Sequence, residues 1–205
     1  AAYALRYTAG LMVPSYLVLG LVLLSASCAS SRADGGGSTS GAVAATGGES
    51  EASVPSPVLA RREPAPEFVL YDQEGFPYPI AESRGRWVVL HFYPESDTPD
   101  CACDATAFTG HLWRFNGLEA EVACVTSSPE GRTLRYAKKY GLSFPLLSDP
   151  DLAVTSLYGA ARDGSIVRTT LLIDPEGRIA ARWDDVKSNE HVETLLDALR
   201  ELRGS

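Results

Sequence analysis

The order of segments in the chain predicts an α/β fold, a three-layer sandwich around a mixed central sheet. Two stretches rich in β-branched and aromatic residues, Trp87–Tyr93 and residues 121–126, are each followed by a segment whose apolar residues recur at helical spacing. Farther along, residues 167–173 and 179–183 flank the sequence Asp-Pro-Glu-Gly, which is typical of a tight turn. Strand–helix–strand units favour parallel neighbours and a hairpin adds antiparallel ones, so the sheet is expected to be mixed.

The first part of this domain is predicted to contain two short extended segments, residues 68–71 and 78–80, and then the buried strand Trp87–Tyr93. A helix is predicted over residues 98–116, because it starts with a capping threonine and a proline and a glycine follows it. Its apolar residues are expected to face inward; they are Phe108, Leu112, Trp113 and Phe115.

The second part continues the alternation of strands and helices. After the strand at residues 121–126, the predicted elements are a helix at 129–140, an extended segment at 144–147, a short helix at 149–158 capped by Asp149, the hairpin and a last helix at 188–203. The last helix is predicted to be amphipathic, because its apolar residues recur at helical spacing; they are Val192, Leu195, Leu196, Leu199 and Leu202. This order of elements resembles that of thioredoxin-like proteins.

An apolar run at residues 11–24 follows Arg6 and precedes the small residues Ser-Ala-Ser and Cys28. This layout is typical of a secretory signal. A cysteine directly after small residues resembles a bacterial lipobox, so residues 1–28 are predicted to be a signal peptide/lipobox and Cys28 the lipidated residue of an exported, membrane-anchored protein. There are two alternatives, and Cys28 has no role in either. One is an ordinary signal peptide, which implies a periplasmic or other extracytoplasmic protein, and the other is a retained anchor.

Residues 29–64 contain no aromatic residue and are rich in Gly, Ser, Ala and Pro, which predicts a disordered linker. Residues 65–205 have the size of one ordinary domain.

The formal net charge of −8 and the absence of a Lys/Arg cluster argue against a nucleic-acid binding surface. Contact with a membrane is expected only through the N-terminal lipid.

Cys101 carries the first indication of chemistry, because it follows the strand Trp87–Tyr93 and lies in the first turn of the predicted helix. Unpaired backbone N–H groups and the helix dipole favour a thiolate over a thiol at such a position. A thiolate is a nucleophile, so Cys101 is the candidate reactive residue.

The spacing Pro94-x-x-x-Thr98-x-x-Cys101 resembles the active-site signature of the peroxiredoxins, and the surrounding residues resemble the bacterioferritin comigratory protein (PrxQ) branch. The resemblance extends over the whole folded part. Further stretches that are similar to the family are residues 65–68, 126–128, 140–149, 168–177, 186–187 and His191.

This resemblance implies a thiol-dependent peroxidase that reduces hydrogen peroxide or organic hydroperoxides through a sulfenic acid on Cys101. It implies that Arg168 stabilises the sulfur and the developing charge on oxygen, that the Thr98 hydroxyl binds the peroxide and that Pro94 shields the sulfur. No metal or organic cofactor is needed, and an external thiol, thioredoxin-like or small, is expected as reductant. We expect a monomer or a weak dimer. The structural alternatives are that Thr98 only caps the helix and that Arg168 is only a surface residue.

The sequence departs from the family where a second, resolving cysteine is often found, because that position is Thr106. Cys103 is the possible resolving residue, but side chains two positions apart on a helix point in nearly opposite directions. Cys124 is predicted to be an inert thiol within a strand. We therefore predict a one-cysteine cycle that an external thiol completes.

Two other functions use the same residues. One is an exported thiol–disulfide oxidoreductase, although that chemistry normally uses Cys-x-x-Cys and the pair here is Cys101-x-Cys103. The other is a copper-binding protein on a thioredoxin-like scaffold with these two cysteines as soft ligands. His91 and His111 lack ligand spacing and are predicted to be structural, and His191 is predicted to cap or pack the start of the last helix.

Overall fold

The computed structural model describes residues 58–59, 62–94, 99–186 and 191–204, with the backbone alone for 58–59 and 99–104. Within these ranges the chain forms ten strands, four α-helices and one 3-10 turn. The strands are β1 (Val58–Leu59), β2 (Val69–Tyr71), β3 (Pro77–Pro79), β4 (Trp87–Tyr93), β5 (Ala120–Thr126), β6 (Leu146–Ser148), β7 (Ala161–Arg162), β8 (Ser165–Ile166), β9 (Thr169–Ile173) and β10 (Ile179–Asp184). The helices are α1 (Pro99–Gly117), α2 (Glu130–Tyr140), α3 (Ala153–Leu157) and α4 (His191–Arg203), and the 3-10 turn is Ile80–Ser83.

The predicted mixed sheet is confirmed. Eight strands pair in the order β1-β10-β9-β4-β5-β6-β2-β3, and β7 and β8 form a separate hairpin. Strand β4 lies near the middle, parallel to β5 and antiparallel to β9. Both faces of β4 are buried along its whole length, which explains why apolar or aromatic side chains occupy every position except His91.

The alternating side chains of β4 supply two cores, one on each face of the sheet. Trp87, Val89 and Tyr93 pack with residues of α1, α2 and α4, whereas Val88 and Phe92 belong to the core that α3 and the 3-10 turn help to cover. The three layers are therefore unequal, because three of the four described α-helices lie on one face.

The ordered sheet begins inside the segment predicted as linker. Val58 lies opposite Arg182 in the pairing of β1 with β10, and the carbonyl of Glu63 accepts a hydrogen bond from the N–H of Ile179 at 2.9 Å. Backbone pairing with an exposed strand needs no apolar side chain, so composition did not indicate it. The signal and lipidation site predicted around Cys28 lie outside the described residues.

The short helix predicted at residues 149–158 is shorter in the structure, because α3 begins at Ala153. Asp149 lies four residues before it, yet its buried carboxylate accepts hydrogen bonds from the N–H groups of Val154 and Thr155 at 3.3 and 2.7 Å.

The predicted inward face of α1 is wrong at Trp113, which is 72% exposed. Trp113 lies five residues after Phe108 and therefore falls off the buried stripe.

No helix within the described ranges is long and apolar enough to cross a membrane.

The amphipathic pattern predicted for the last helix is confirmed in α4. Its buried residues are His191, Val192, Leu195, Leu196 and Leu199.

Candidate active site

Cys101 is the third residue of α1, which begins at Pro99. It therefore lies among the N–H groups that have no partner within the helix, at the positive end of the helix dipole. This is the position that the sequence predicted for a stabilised thiolate. Thr98 lies outside the described residues, and so do the side chains of Cys101 and Cys103.

Helical spacing distinguishes the positions of the two cysteines. Position 101 lies four and seven residues before Ala105 and Phe108, which are buried in the core. Position 103 lies three residues before Thr106, which is exposed, and four residues before Ala107, which packs against the core. The two positions are two residues apart in α1, and side chains at that separation on a helix point in nearly opposite directions.

Pro94 follows β4 directly and is half-buried. Its carbonyl oxygen accepts hydrogen bonds from the Thr126 hydroxyl at 3.3 Å and from the Ser127 hydroxyl. Thr126 is the last residue of β5, and its hydroxyl also accepts the N–H of Ser128 at 3.3 Å. These hydrogen bonds from the end of β5 hold the chain at the point where it leaves β4.

Arg168 lies on the other side of β4. The antiparallel register of β4 and β9 sets Phe92 opposite Thr169, so one further step sets Arg168 beside Tyr93, the residue before Pro94. Arg168 is two residues from Thr170 and therefore shares its face of the sheet, which is the face that α1 covers. The structure thus brings Arg168 and Pro94 to the same end of β4, from which α1 departs.

Three buried residues near this end of β4 are joined by hydrogen bonds. His91 Nδ1 and His191 Nε2 each lie 2.8 Å from Thr170 Oγ1, and all three residues are buried. Burial lowers the pKa of His91 to about 3, and repulsion by a protonated His191 and by the Arg168 guanidinium adds to this shift. Burial also lowers the pKa of His191 to about 4. Both imidazoles are therefore neutral at physiological pH.

The other predicted residues lie near the site without forming a second cluster. Cys124 is buried in the middle of β5, opposite His91, and both line a small cavity beneath Ala105 of α1. His111 lies 3.4 Å from Glu193, which also pairs with Arg114, so these side chains connect α1 to α4. Among the described residues no group of three or more His, Cys, Asp or Glu side chains could hold a metal ion.

Sequence reasoning missed the hydrogen bonds that Thr126, Ser127 and Thr170 make near this end of β4. Residues 126–128 resemble the family in sequence, but nothing in their spacing indicates that two hydroxyls bind the Pro94 carbonyl. His91 was predicted to be structural, which fits its burial, but its shared partner with His191 had no signal in the sequence.

Comparison with known proteins establishes the family of the chain. Residues 62–182 match the model of the AhpC/TSA family. The chain is 30% identical over 145 residues to peroxiredoxin Bcp of Escherichia coli, covering 67% of this chain and 93% of that protein. It is 32% identical over 142 residues to the chloroplastic peroxiredoxin Q of Sedum lineare, covering 67% of this chain and 76% of that protein.

A solved structure of peroxiredoxin Q from Xanthomonas campestris superposes with a TM-score of 0.63 at 28% sequence identity, covering 65% of this chain and 90% of that one. The bacterioferritin comigratory protein of the same organism superposes equally well at 27% identity. Fold, sequence and the location of Cys101 at a helix start lead to one identification. The chain belongs to the AhpC/TSA family, among the peroxiredoxins of the Bcp/PrxQ kind, and is a thiol-dependent peroxidase.

Proposed function

We propose that Cys101 is the peroxidatic residue and that it reduces hydrogen peroxide or an organic hydroperoxide. The observation that carries this proposal is the position of Cys101 in the first turn of α1, next to the strand end that bears Pro94. The related bacterioferritin comigratory protein of Xanthomonas campestris is described as having alkyl peroxide reduction activity. This supports the inclusion of organic hydroperoxides among the substrates.

The proposed step is a nucleophilic substitution at oxygen. The Cys101 thiolate attacks one oxygen of ROOH, the S–O bond forms as the O–O bond breaks, and RO⁻ leaves and takes up a proton to become ROH. Sulfur is oxidised to the sulfenic acid Cys101–SOH, and the peroxide is reduced. An external thiol R′SH then displaces water to form a mixed disulfide, and a second thiol releases the reduced enzyme together with R′SSR′.

Three further residues act on this step in the proposal. Arg168 supports the thiolate and the charge that develops on the leaving oxygen, because a guanidinium stays charged and offers several donors. Thr98 donates its hydroxyl to the peroxide. Pro94, held by Thr126 and Ser127, limits the access of water to the sulfur.

The alternative functions receive no comparable support. A thiol–disulfide oxidoreductase or a copper-binding protein would use Cys101 and Cys103 together, whereas the helical register sets these positions on different stripes of α1. Neither function accounts for Arg168 beside the end of β4.

The test compares single cysteine variants of the reduced protein mixed rapidly with hydrogen peroxide. Cys101→Ser should abolish peroxide consumption and dimedone trapping at this position, while Cys124→Ala, in the middle of β5, should retain both. Circular dichroism establishes that each variant is folded. Wild-type turnover in Cys101→Ser would refute the assignment.

We further propose that the protein is exported and anchored by a lipid on Cys28. The support is the sequence of residues 6–28, in which an apolar run after a basic residue is followed by small residues and a cysteine. The full chain should then partition into detergent when it is produced in a bacterial host, and Cys28→Ser should release it to the aqueous phase. Partitioning that persists in Cys28→Ser would indicate an uncleaved anchor instead.

A further inference from the structure

Two histidines from different elements bind a single hydroxyl. His91 on β4 and His191 at the start of α4 lie 2.8 Å from Thr170 Oγ1 on β9 through Nδ1 and Nε2. The exposed fractions of these residues are 2%, 4% and 0%. A buried polar group costs free energy unless it is hydrogen-bonded, so three such residues in contact need a reason.

The number of protons on these atoms constrains the arrangement. The Thr170 hydroxyl has one hydrogen and two lone pairs, so it donates to at most one of the two histidines and accepts an N–H from at least one of them. The opposite ring nitrogens, His91 Nε2 and His191 Nδ1, are buried and have no hydrogen-bond partner among the described residues. Within the described part of the chain, the side-chain hydrogen bonds of both rings therefore converge on Thr170, and its hydroxyl is held from two directions.

The same strand segment is also held at its neighbouring residues. The Thr169 hydroxyl donates to Asp184 at 3.0 Å on the opposite face of the sheet. The carbonyl oxygen of Arg168 accepts the N–H of Val186 at 3.2 Å. Three consecutive residues that begin with Arg168 are thus each held by a long-range hydrogen bond.

Arg168 is close to this group in space as well as in sequence. In the register of β4 and β9, the pair His91–Thr170 lies two positions from Arg168, and after burial and His191 the charge of Arg168 also lowers the pKa of His91. Strand alternation sets Arg168 and Thr170 on one face, toward α1. The immobile hydroxyl and the charged side chain therefore lie on the same short stretch of backbone.

We propose that Thr170, held by His91 and His191, is a positioning residue that fixes the start of β9 so that Arg168 points at the reacting sulfur and oxygen atoms. The inference rests on the proposed roles of Cys101 and Arg168. Its physical basis is preorganisation: a donor aimed at developing charge is effective when the protein does not need to reorient it during the reaction. The neutral state of the histidines serves this role, because it leaves the charge of Arg168 without a second cation beside it.

The test uses Thr170→Val, which keeps the shape and removes the hydroxyl, and Thr170→Ser, which restores it. Two quantities are measured on the full chain: the second-order rate constant of Cys101 oxidation by hydrogen peroxide, and the pH midpoint of Cys101 alkylation, located by mass spectrometry. Thr170→Val should lower the rate constant by about 3- to 10-fold and raise the midpoint. This is a fraction of the ~10²–10³-fold loss typical of removing a whole donor. Thr170→Ser should resemble the wild type.

Two controls separate this inference from general destabilisation and from the proposed function. Thr133→Val removes another buried threonine hydroxyl, bonded to Glu130 O at 2.8 Å on α2, and should leave the midpoint unchanged. Arg168→Ala reports on the proposed function itself. If Arg168→Ala lowers the rate constant and Thr170→Val does not, the positioning role is wrong and the function stands. If Arg168→Ala has no effect, the proposed role of Arg168 is wrong.

A second pair of variants keeps the inference testable if Thr170→Val does not fold. His191→Gln retains a polar group near the position of Nε2, whereas His191→Leu removes it. His191 lies on α4, outside the proposed reaction site, so a change in the Cys101 midpoint in the leucine variant alone supports transmission through Thr170. Equal midpoints in both variants would overturn the inference.

Discussion

The Ser127 hydroxyl donates a hydrogen bond to the carbonyl oxygen of Pro94, joining the end of β5 to the end of β4 across 33 residues of sequence. Thr126 donates to the same oxygen at 3.3 Å. The carbonyl is therefore held by two adjacent hydroxyls at the point where the chain turns toward α1. This contact holds the predicted shielding proline at the end of β4.

Ser127→Ala removes one of these two bonds. We expect the free energy of unfolding to fall by about 1 kcal/mol, the usual net value of such a bond. The rate constant of Cys101 oxidation should fall several-fold, because Pro94 is held less firmly. Stopped-flow oxidation and urea unfolding measure the two effects. Ser143→Ala, at an exposed serine in the loop before β6, is the control, and equal rate constants in the two variants would contradict this role.

Replacing Arg168 should distinguish charge from geometry. Arg168→Lys keeps a positive charge but loses the planar set of donors, so its oxidation rate constant should lie between those of the wild type and Arg168→Ala. Arg168→Ala should lose ~10²–10³-fold. Rate constants are compared at a pH high enough to ionise Cys101 in every variant. A lysine variant as fast as the wild type there would show that charge alone is needed.

Stability should decrease in acid because two histidines are buried in their neutral form. Burial lowers the pKa of His91 to about 3 and that of His191 to about 4. In the unfolded chain both bind a proton below about pH 6.5, whereas the folded chain keeps them neutral to lower pH. The free energy of unfolding should therefore fall as the pH drops from about 6.5 toward 4, by up to about 1.4 kcal/mol per pH unit for each histidine.

Urea unfolding at a series of pH values measures this dependence. His91→Asn and His191→Gln keep polar groups near Nδ1 and Nε2 but cannot bind the proton, so each should reduce the slope by up to one histidine's share. Above pH 7 each variant should differ from the wild type by an offset that no longer depends on pH. If the double variant has the wild-type slope between about pH 6.5 and 4, other groups cause the acid sensitivity.

The fate of oxidised Cys101 is the prediction that depends most on the register of α1. Thr106 occupies the common resolving position, Cys124 is 2% exposed within β5, and positions 101 and 103 are two residues apart on a helix, where side chains point in nearly opposite directions. One equivalent of peroxide without reductant should therefore produce a persistent sulfenic acid on Cys101 that dimedone traps. Excess peroxide should convert it to sulfinic acid.

Mass spectrometry of the same sample decides between this one-cysteine cycle and an internal disulfide. Loss of two hydrogens that maps to Cys101–Cys103 would mean that the first turns of α1 unwind, since a helical i, i+2 pair cannot form the bond. The same loss mapping to Cys101–Cys124 would require a larger rearrangement of the sheet-facing side of α1. Cys103→Ser is the matched control and should leave the sulfenic acid yield unchanged.

The sequence by itself determined the elements that depend on local pattern. The apolar run of β4, the proline and threonine before Cys101 and the spacing of leucines in α4 predicted a strand, a helix start and an amphipathic helix, because each depends on neighbours within one or two turns of chain. These elements were sufficient to indicate the fold and the reactive cysteine.

Only the tertiary structure decided what holds the site together. Pro94 is bound by residues 32 and 33 positions away, and His91 shares Thr170 from 79 positions away. Hydroxyls and imidazoles carry no periodic pattern, so their partners depend on which strands become neighbours. The edge strand β1 was missed for the same reason, since backbone pairing is independent of side-chain type. Short sequence spacings indicate which residues can react, whereas the contacts that position those residues form only when distant segments pack.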